Sequence, residues 1–571
     1  MNAKLKVFTN RAALVTVALW ALSVRAVSAQ TAYDKIQDNS FWNDGRNISG
    51  IRNGTPVKAS YAELHGGMNG GDFKPSYESS SSWQAGAAAS TRVDLDRFSM
   101  TGSFSFAQKQ GKDMCGSMFI RPGYYPVDVL EFTPGDKTLQ TYMFSGGIAV
   151  PLNDRLTVGA KMDFESDNYA KRKDIRHTNY RLDMTVTPSA VLRLDKWTVG
   201  AAMIFSKNSE SIQAEQIGTA TADSYYAFLD KGMMYGVQQV WNGSGIHLSE
   251  SGLDRFAVKE YSYGASAQIE RPLADGALYA DIEWLASSGG VGEKSYTFFR
   301  FPGRSVTARL GYRHETGNGT NIFRIRYNWF RQWNNEYVID KVSSGGVTVP
   351  VTYGHNRIFE RRRMRVATEY SFYGTGQLSW LYRIHAEAGY AKGNELSSAV
   401  YPYSFKGNEE IVSASAAAQF RLGRFRLGCG LDFLKGFRDE TAGMTGEGAD
   451  HGASPFRPES WYNLWNEWDN AARLGAALPL SGPSVRPLLH GNERRFAHLH
   501  GGRRPRAVLH ERPHARILLP GGRRPLYGRS HHELHRELRR AEREQDRDMA
   551  RPARFVPVGG RGGGAVRCHD G

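Results

Sequence analysis

The sequence predicts an all-β fold, a transmembrane antiparallel β-barrel of about 16 strands (about 16–18) with a possible N-terminal plug. Three observations predict it. The chain opens with an export signal, it contains no apolar run long enough for a spanning helix, and its middle alternates polar with apolar residues in one segment after another.

The export signal comes first. Lys4, Lys6 and Arg11 form a positive n-region, and Ala12 to Val24 form an apolar stretch. Val27-Ser28-Ala29 supplies small residues before a cleavage point, so residues 1–29 read as a signal peptide. No Cys follows to accept a lipid. Beyond this segment nothing approaches the ~18–20 consecutive apolar residues of a spanning helix. An exported chain of this size either stays soluble or enters a membrane as a barrel.

Net charge argues little about partners. The whole chain carries +16, but residues 481–571 contribute 20 Arg, no Lys and 9 acids, and the signal peptide adds four more bases. What remains, residues 30–480, has 49 bases against 48 acids. A nucleic-acid partner would rest almost wholly on the tail, and none is inferred. Cys115, Cys429 and Cys568 are too few for a disulfide framework and are not spaced as a zinc site. No cofactor or metal is expected.

Period-2 alternation dominates residues 57–480. Leu156, Val158, Ala160, Met162 and Phe164 share one face, while Arg155, Thr157, Gly159, Lys161 and Asp163 share the other. Phe425, Leu427, Cys429, Leu431 and Phe433 alternate in the same way with Arg424, Arg426, Gly428, Gly430 and Asp432. Trp380, Tyr382, Ile384, Ala386, Ala388 and Tyr390 back onto Arg383, His385 and Glu387. The alternating runs are about ten residues long, the length of a tilted spanning strand. Their polar face bears full charges of both signs, which a soluble sandwich core could not hold. These segments run from 81–93 to 469–480, and a weaker one at 57–66 brings the count to about 16.

Tight turns such as Asp94-Leu95-Asp96, Leu194-Asp195-Lys196 and Gly374-Thr375-Gly376 alternate with longer linkers at 109–138, 208–257, 333–358 and 438–467. Short periplasmic turns and long external loops are the topology of bacterial barrels. Residues 30–56 are polar with scattered aromatics, and either plug the lumen or lie in the periplasm.

Parity then nominates lumen-lining residues: Lys161, Asp163, Asp281, Glu283, Arg309, Arg324, Arg326, Glu387 and Arg426. Two external loops stand out. Lys171, Arg172 and Lys173 either pair with lipopolysaccharide phosphates or are simply solvated. Tyr124 and Tyr125 sit in an apolar loop that either admits a hydrophobic ligand or packs over the barrel mouth. No Gly-x-Ser-x-Gly and no His-Glu-x-x-His occurs, and neither His314 nor His385 has an obvious Ser partner, so no enzyme is expected.

Several segments carry a family resemblance. They are Tyr33 to Asn39, Gly111 to Pro126, Tyr169 to Tyr180 and Phe299-Arg300-Phe301-Pro302. Over about residues 31–480 the chain resembles a family of outer-membrane barrels of Bacteroidetes-type bacteria known as a domain of unknown function. The resemblance implies a barrel in the outer membrane and carries no catalytic residues. Expected partners are outer-membrane lipid, lipopolysaccharide and the barrel-assembly machinery. Three functions stay open, in this order: a porin-like channel for small solutes, a hydrophobic-compound channel like the fatty-acid transporters, and a structural or interaction barrel.

From residue 481 the composition changes. Lys, Thr and Trp vanish, one Tyr (Tyr527) remains, and Gly-Arg-Arg-Pro appears at 502–505 and 522–525. Arg, His, Pro and Gly in excess are what a GC-rich message gives when read out of frame. The break falls where a returning strand is due, so residues 481–571 are expected to be a frameshifted tail. Coding DNA checks this: a one- or two-base shift near codon 481 should restore alternating apolar and aromatic residues up to a stop codon. If neither alternative frame yields such a segment, the tail is a genuine basic domain.

Overall fold

The structure is a computed structural model describing residues 40–53, 56, 58–71, 74, 77–173, 175–215, 227–232, 239–240, 256–292, 297–344, 346–399, 403–422, 425–444, 472–477, 480–481 and 515–517. Residues 1–39, with the segment expected to be a signal peptide, nearly all of residues 481–571 and the residues of the second compact unit, Gly521–Gly571, lie outside the described residues.

One antiparallel sheet contains every described strand. In chain order these are β1 (Lys58–Gly70), β2 (Ser81–Asp94), β3 (Ser99–Ser117), β4 (Asp128–Pro151), β5 (Leu156–Lys171), β6 (Arg176–Arg193) and β7 (Thr198–Glu215). Then come the short β8 (Ala227–Asp230) and β9 (Gln239–Val240), followed by β10 (Phe256–Leu273), β11 (Gly276–Gly292), β12 (Thr297–Thr316), β13 (Gly319–Ser344) and β14 (Val347–Gly374). The series closes with β15 (Leu381–Ser397), β16 (Tyr403–Leu422), β17 (Phe425–Met444), β18 (Ala472–Ala477), β19 (Leu480–Ser481) and β20 (Ala515–Ile517).

Each long strand pairs with the next, and β7 pairs directly with β10 across the 227–240 excursion. Setting aside the short β8, β9, β19 and β20, the wall is built of β1–β7 and β10–β18, which is 16 strands. Among the described residues, β18 pairs with β17 alone. Besides β2, β1 pairs, among the described strands, only with the three-residue β20.

The periplasmic ends fall where alternation placed them. Leu95 N–H donates to Phe98 O at 2.9 Å and Leu194 N–H to Trp197 O at 2.7 Å, each closing a tight turn. Gly376 has φ 58°, a left-handed conformation that glycine adopts without a Cβ clash. The external ends differ from expectation. Strands continue well past the segments read from sequence: β13 and β14 have 26 and 28 residues, where about 9–11 cross the hydrocarbon. The linkers expected at 333–358 and over much of 109–138 are therefore paired strand. The physical reason is that apolar alternation is demanded only by lipid, whereas hydrogen-bonded pairing continues into water.

Facing follows the same parity. Phe144, Met162, Met203, Phe205, Ile282, Trp284, Leu310, Ile325 and Leu431 are exposed on the outside. Their alternating neighbours Asp281, Glu283, Thr307, Arg309 and Arg324 are buried inside. One assignment shifts. Tyr382, expected on the apolar outer face, is buried against Tyr373 with ring centroids 6.0 Å apart. A β-bulge between Leu381 and Arg383 re-aims the side chain.

An outward apolar band and a buried polar interior predict unequal penalties. Leu310→Arg puts a charge against lipid and should lower stability by about 2–4 kcal/mol near the midplane, whereas Leu310→Phe should be near neutral. Urea unfolding in lipid vesicles checks the pair. Equal effects would mean that this face does not meet lipid.

Candidate functional site

The interior is occupied at two levels by the chain itself. The lower occupant is residues 40–53, with 3-10 turns at Phe41–Asn43 and Ile48–Asn53. It has no periodicity to bind it to a sheet, and it is held by side chains of the wall. Arg46 Nε donates to Glu283 of β11 at 3.2 Å. Asp44 pairs with Arg324 of β13 at 2.9 Å, and Arg324 also reaches Glu369 of β14 at 3.1 Å. Trp42 donates to Glu270 of β10. Asn47 donates to Gln268 of β10 at 2.9 Å, and Ser49 to the Ser189 carbonyl of β6 at 3.0 Å. Arg92 of β2 donates to Ile51 O at 2.6 Å. A single short segment meets strands from β2 to β14 only because the sheet curls around it.

Glycines in the wall make room for this plug. A methyl added at Gly311 would come within 2.5 Å of the Phe41 ring, and one at Gly200 within 2.7 Å of Trp42 and Asn47. At Gly159 and Gly147 it would come within 2.9 Å of Ile48. Phe41 stacks on Tyr279 with centroids 5.5 Å apart, and Arg324 lies over the Phe41 ring at 5.5 Å.

The upper occupant is the loop 118–127 between β3 and β4. Register shifts at Gly111/Met114 and Met114/Gly116 bend β3 before it, and Asp113 takes φ 53°. Met118, Phe119, Tyr125 and Val127 are buried in an apolar core with Phe256, Phe299 and Phe301. Polar ties fix its course: Asn179 of β6 donates to Met118 O at 2.7 Å, and Ile120 N–H donates to Glu210 of β7 at 2.9 Å. Tyr124 O–H donates to Glu260 of β10 at 2.6 Å, and Arg361 of β14 donates to Gly123 O at 2.6 Å and to Tyr124 O. Tyr124 and Tyr125, expected at an external mouth, thus lie within the barrel. The apolar side chains of this loop bury themselves by turning inward.

A second correction concerns the basic loop. Lys171 is fully buried, 2.5 Å from Glu131, which also holds Lys137 at 3.2 Å. β5 runs to Lys171 instead of ending near 165, and its parity carries residue 171 inward. Only Arg172 and Lys173 are exposed. Beside this triad, at the external end of β4, burial pushes the Asp128 carboxyl well above its usual range, and Asp230 on β8 adds to the rise. Both groups lie well over ten residues from the periplasmic turn at 152–155, outside the span that crosses lipid.

The nominated interior residues divide into pairs. Lys161 lies 3.0 Å from Asp163, Arg309 pairs with Asp281 and lies 3.8 Å from Glu283, and Glu387 is 3.7 Å from Arg365. Arg324 joins the plug, Arg326 is half-buried on the inner face, and the Arg426 side chain lies outside those described. Parity reading missed Arg181, which is 2.8 Å from Glu165, 2.7 Å from Asp167 and 2.8 Å from Asp183. The alternation of Arg181, Asp183, Thr185 and Thr187 with Leu182, Met184 and Val186 carried that signal. Arg46 and Asp44 had no such signal.

His385 does have a Ser neighbour, contrary to expectation: Ser371 Oγ lies 2.9 Å from its Nδ1, and Glu369 3.8 Å from the same atom. A nucleophile–base–acid relay needs Ser and acid on opposite ring nitrogens, and Ser371 is completely buried. This trio ties β14 to β15.

A curled antiparallel sheet with an apolar exterior, a charged interior and spans long enough for lipid defines an outer-membrane β-barrel. No described helix is long and apolar enough to cross a membrane. The chain belongs to a family of unknown function, DUF6850, whose profile matches residues 49–489. No curated protein matches the sequence. Solved structures similar to it include the copper transporter OprC (8% identity, TM-score 0.33, 66% of this chain and 75% of that one). The outer membrane transporter YddB from Escherichia coli has 8% identity and a TM-score of 0.32, over 66% of this chain and 60% of that one. The FrpB iron transporter from Neisseria meningitidis, F3-3 variant, has 11% identity and a TM-score of 0.31, over 68% and 63%. This chain therefore spans under two thirds of the last two. At such scores the likeness goes no further than that.

The glycine seats make the plug testable. Gly311→Val should expel Phe41, so hydrogen exchange at residues 41–53 rises at least tenfold while the heat-modifiable gel shift of the barrel persists. Unchanged exchange would mean that the plug does not depend on this seat.

Proposed function

We propose that the protein is a gated transport barrel for small polar solutes, shut by residues 40–53 below and loop 118–127 above. One observation carries this reading: beside the apolar seats of Phe41, Trp42 and Ile48, the lower plug is tied to the wall by buried ion pairs and hydrogen bonds, Arg46–Glu283, Asp44–Arg324 and Asn47–Gln268. A permanent filling would be more stable with apolar contacts, because burying charge costs several kcal/mol per ion before pairing returns it. Charged contacts have the advantage that water can replace them when the segment leaves. The wall exposed behind it would be polar and of mixed sign, suited to small hydrophilic solutes without strong ion selection. The porin-like function expected from sequence is retained in this gated form. A hydrophobic channel has less support, because the apolar loop residues are packed on one another and on the wall.

Planar-bilayer recording tests the gate. The wild-type protein should show few openings, and replacing residues 41–53 with a Gly-Ser linker should give stable conductance with weak ion selectivity. Combining Asp44→Ala with Arg46→Ala should raise the open probability at least tenfold. If removing the plug leaves the bilayer silent, the barrel is a structural or interaction protein.

A further inference from the structure

Between plug and loop lies a small chamber of about 50 Å³, room for about three to five waters. Its floor includes Arg46 of the plug and its roof Tyr124 of the loop. Asp183, Asn208, Glu260 and Arg361 are on the walls between.

Two features point to a ligand. First, buried donors are left over. Arg361 and Asn208 are each 4% or less exposed, yet Arg361 Nε and Asn208 Nδ2 have no hydrogen-bond partner. The other polar atoms of both side chains are engaged: Arg361 holds the loop carbonyls and Gln332, and Asn208 Oδ1 accepts from Tyr125 at 3.3 Å. Buried donors are almost always satisfied, and leaving one unmet costs about 1–3 kcal/mol. Two such donors on one chamber call for an acceptor between them. Second, the buried charges of the lining balance: Arg46 and Arg361 stand against Asp183 and Glu260, while Arg304, the remaining charged residue of the lining, is exposed. A ligand with net charge would bury an uncompensated charge, whereas one carrying both signs would match the lining at each end.

We infer that the chamber is a transit site for a small zwitterion, a two- or three-carbon amino acid, with its carboxylate toward Arg361 and Asn208 and its ammonium toward Glu260 and Asp183. This rests on the gated-transport reading and names its solute. Because Arg46 and Tyr124 belong to opposite gates, a solute seated here touches both and favours the closed state until one of them moves.

Equilibrium dialysis of the full chain in detergent against radiolabelled glycine tests this, with acetate and methylamine as competitors and equilibration over days so that slow opening is not limiting. Glycine should bind at least tenfold more tightly than either competitor. Asn208→Leu and Glu260→Gln should each weaken it at least tenfold, while Asn394→Leu, remote from the chamber, should leave it unchanged. Competition on the wild-type protein needs no variant, so it decides the matter even if a substitution impairs folding. No retained glycine, or acetate competing as well as glycine, overturns the inference. The gate stands or falls separately, on conductance after plug removal.

Discussion

In hydrocarbon every backbone N–H and C=O must find its partner within the protein. That requirement makes the sheet curl, and the curl makes inside and outside chemically different. Along each strand one residue in two meets lipid and its neighbour meets the interior, so Leu310 and Arg309 can be adjacent in sequence and opposite in environment. The charges follow from the same geometry. Arg181 and Arg309 would be untenable on the outer face; on the inner one they face carboxylates presented by strands of matching register.

Those internal ion pairs are poor evidence for stability in themselves, since desolvation offsets much of the attraction. Their value is in register. Arg181 reaches Glu165 and Asp167 on β5 and Asp183 on its own strand, and a slip of β6 by one residue would turn Arg181 and Asp183 toward lipid and leave Glu165 and Asp167 without their cation. Glu131 does similar work higher up, drawing Lys137 and Lys171 onto one carboxylate. The plug uses this framework, entering through groups such as Glu283 and Arg324 that the wall already holds in place.

Much of the wall was legible in sequence because lipid enforces a strict period of two over about ten residues. Periplasmic turns, facing, and the inward placement of Asp281 and Arg309 all follow from it. The external half was not legible to the same degree, since water places no demand on the outer face. β13 and β14 therefore looked shorter than they are, and Lys171 looked like loop. Gly159 was read as a neutral member of the polar face, although its missing side chain is what admits Ile48. Residues 41–53 show no periodicity at all. Their place is dictated by complementarity to strands far away in sequence, which a local pattern cannot express.

The seats of the plug also order the birth of the molecule. Gly147 and Gly159 lie on β4 and β5, but Gly200 is on β7 and Gly311 on β12, with Arg324 beyond it on β13. Docking of residues 41–53 thus depends on contacts more than 250 residues downstream, a loop-closure cost that can be met only once most of the wall has assembled. A stretch near the start of the barrel's sequence thus settles only after strands far downstream are in place. Until then its aromatic side chains, Phe41 and Trp42, are without their pocket, and a periplasmic escort that shields exposed aromatics would have its natural client there.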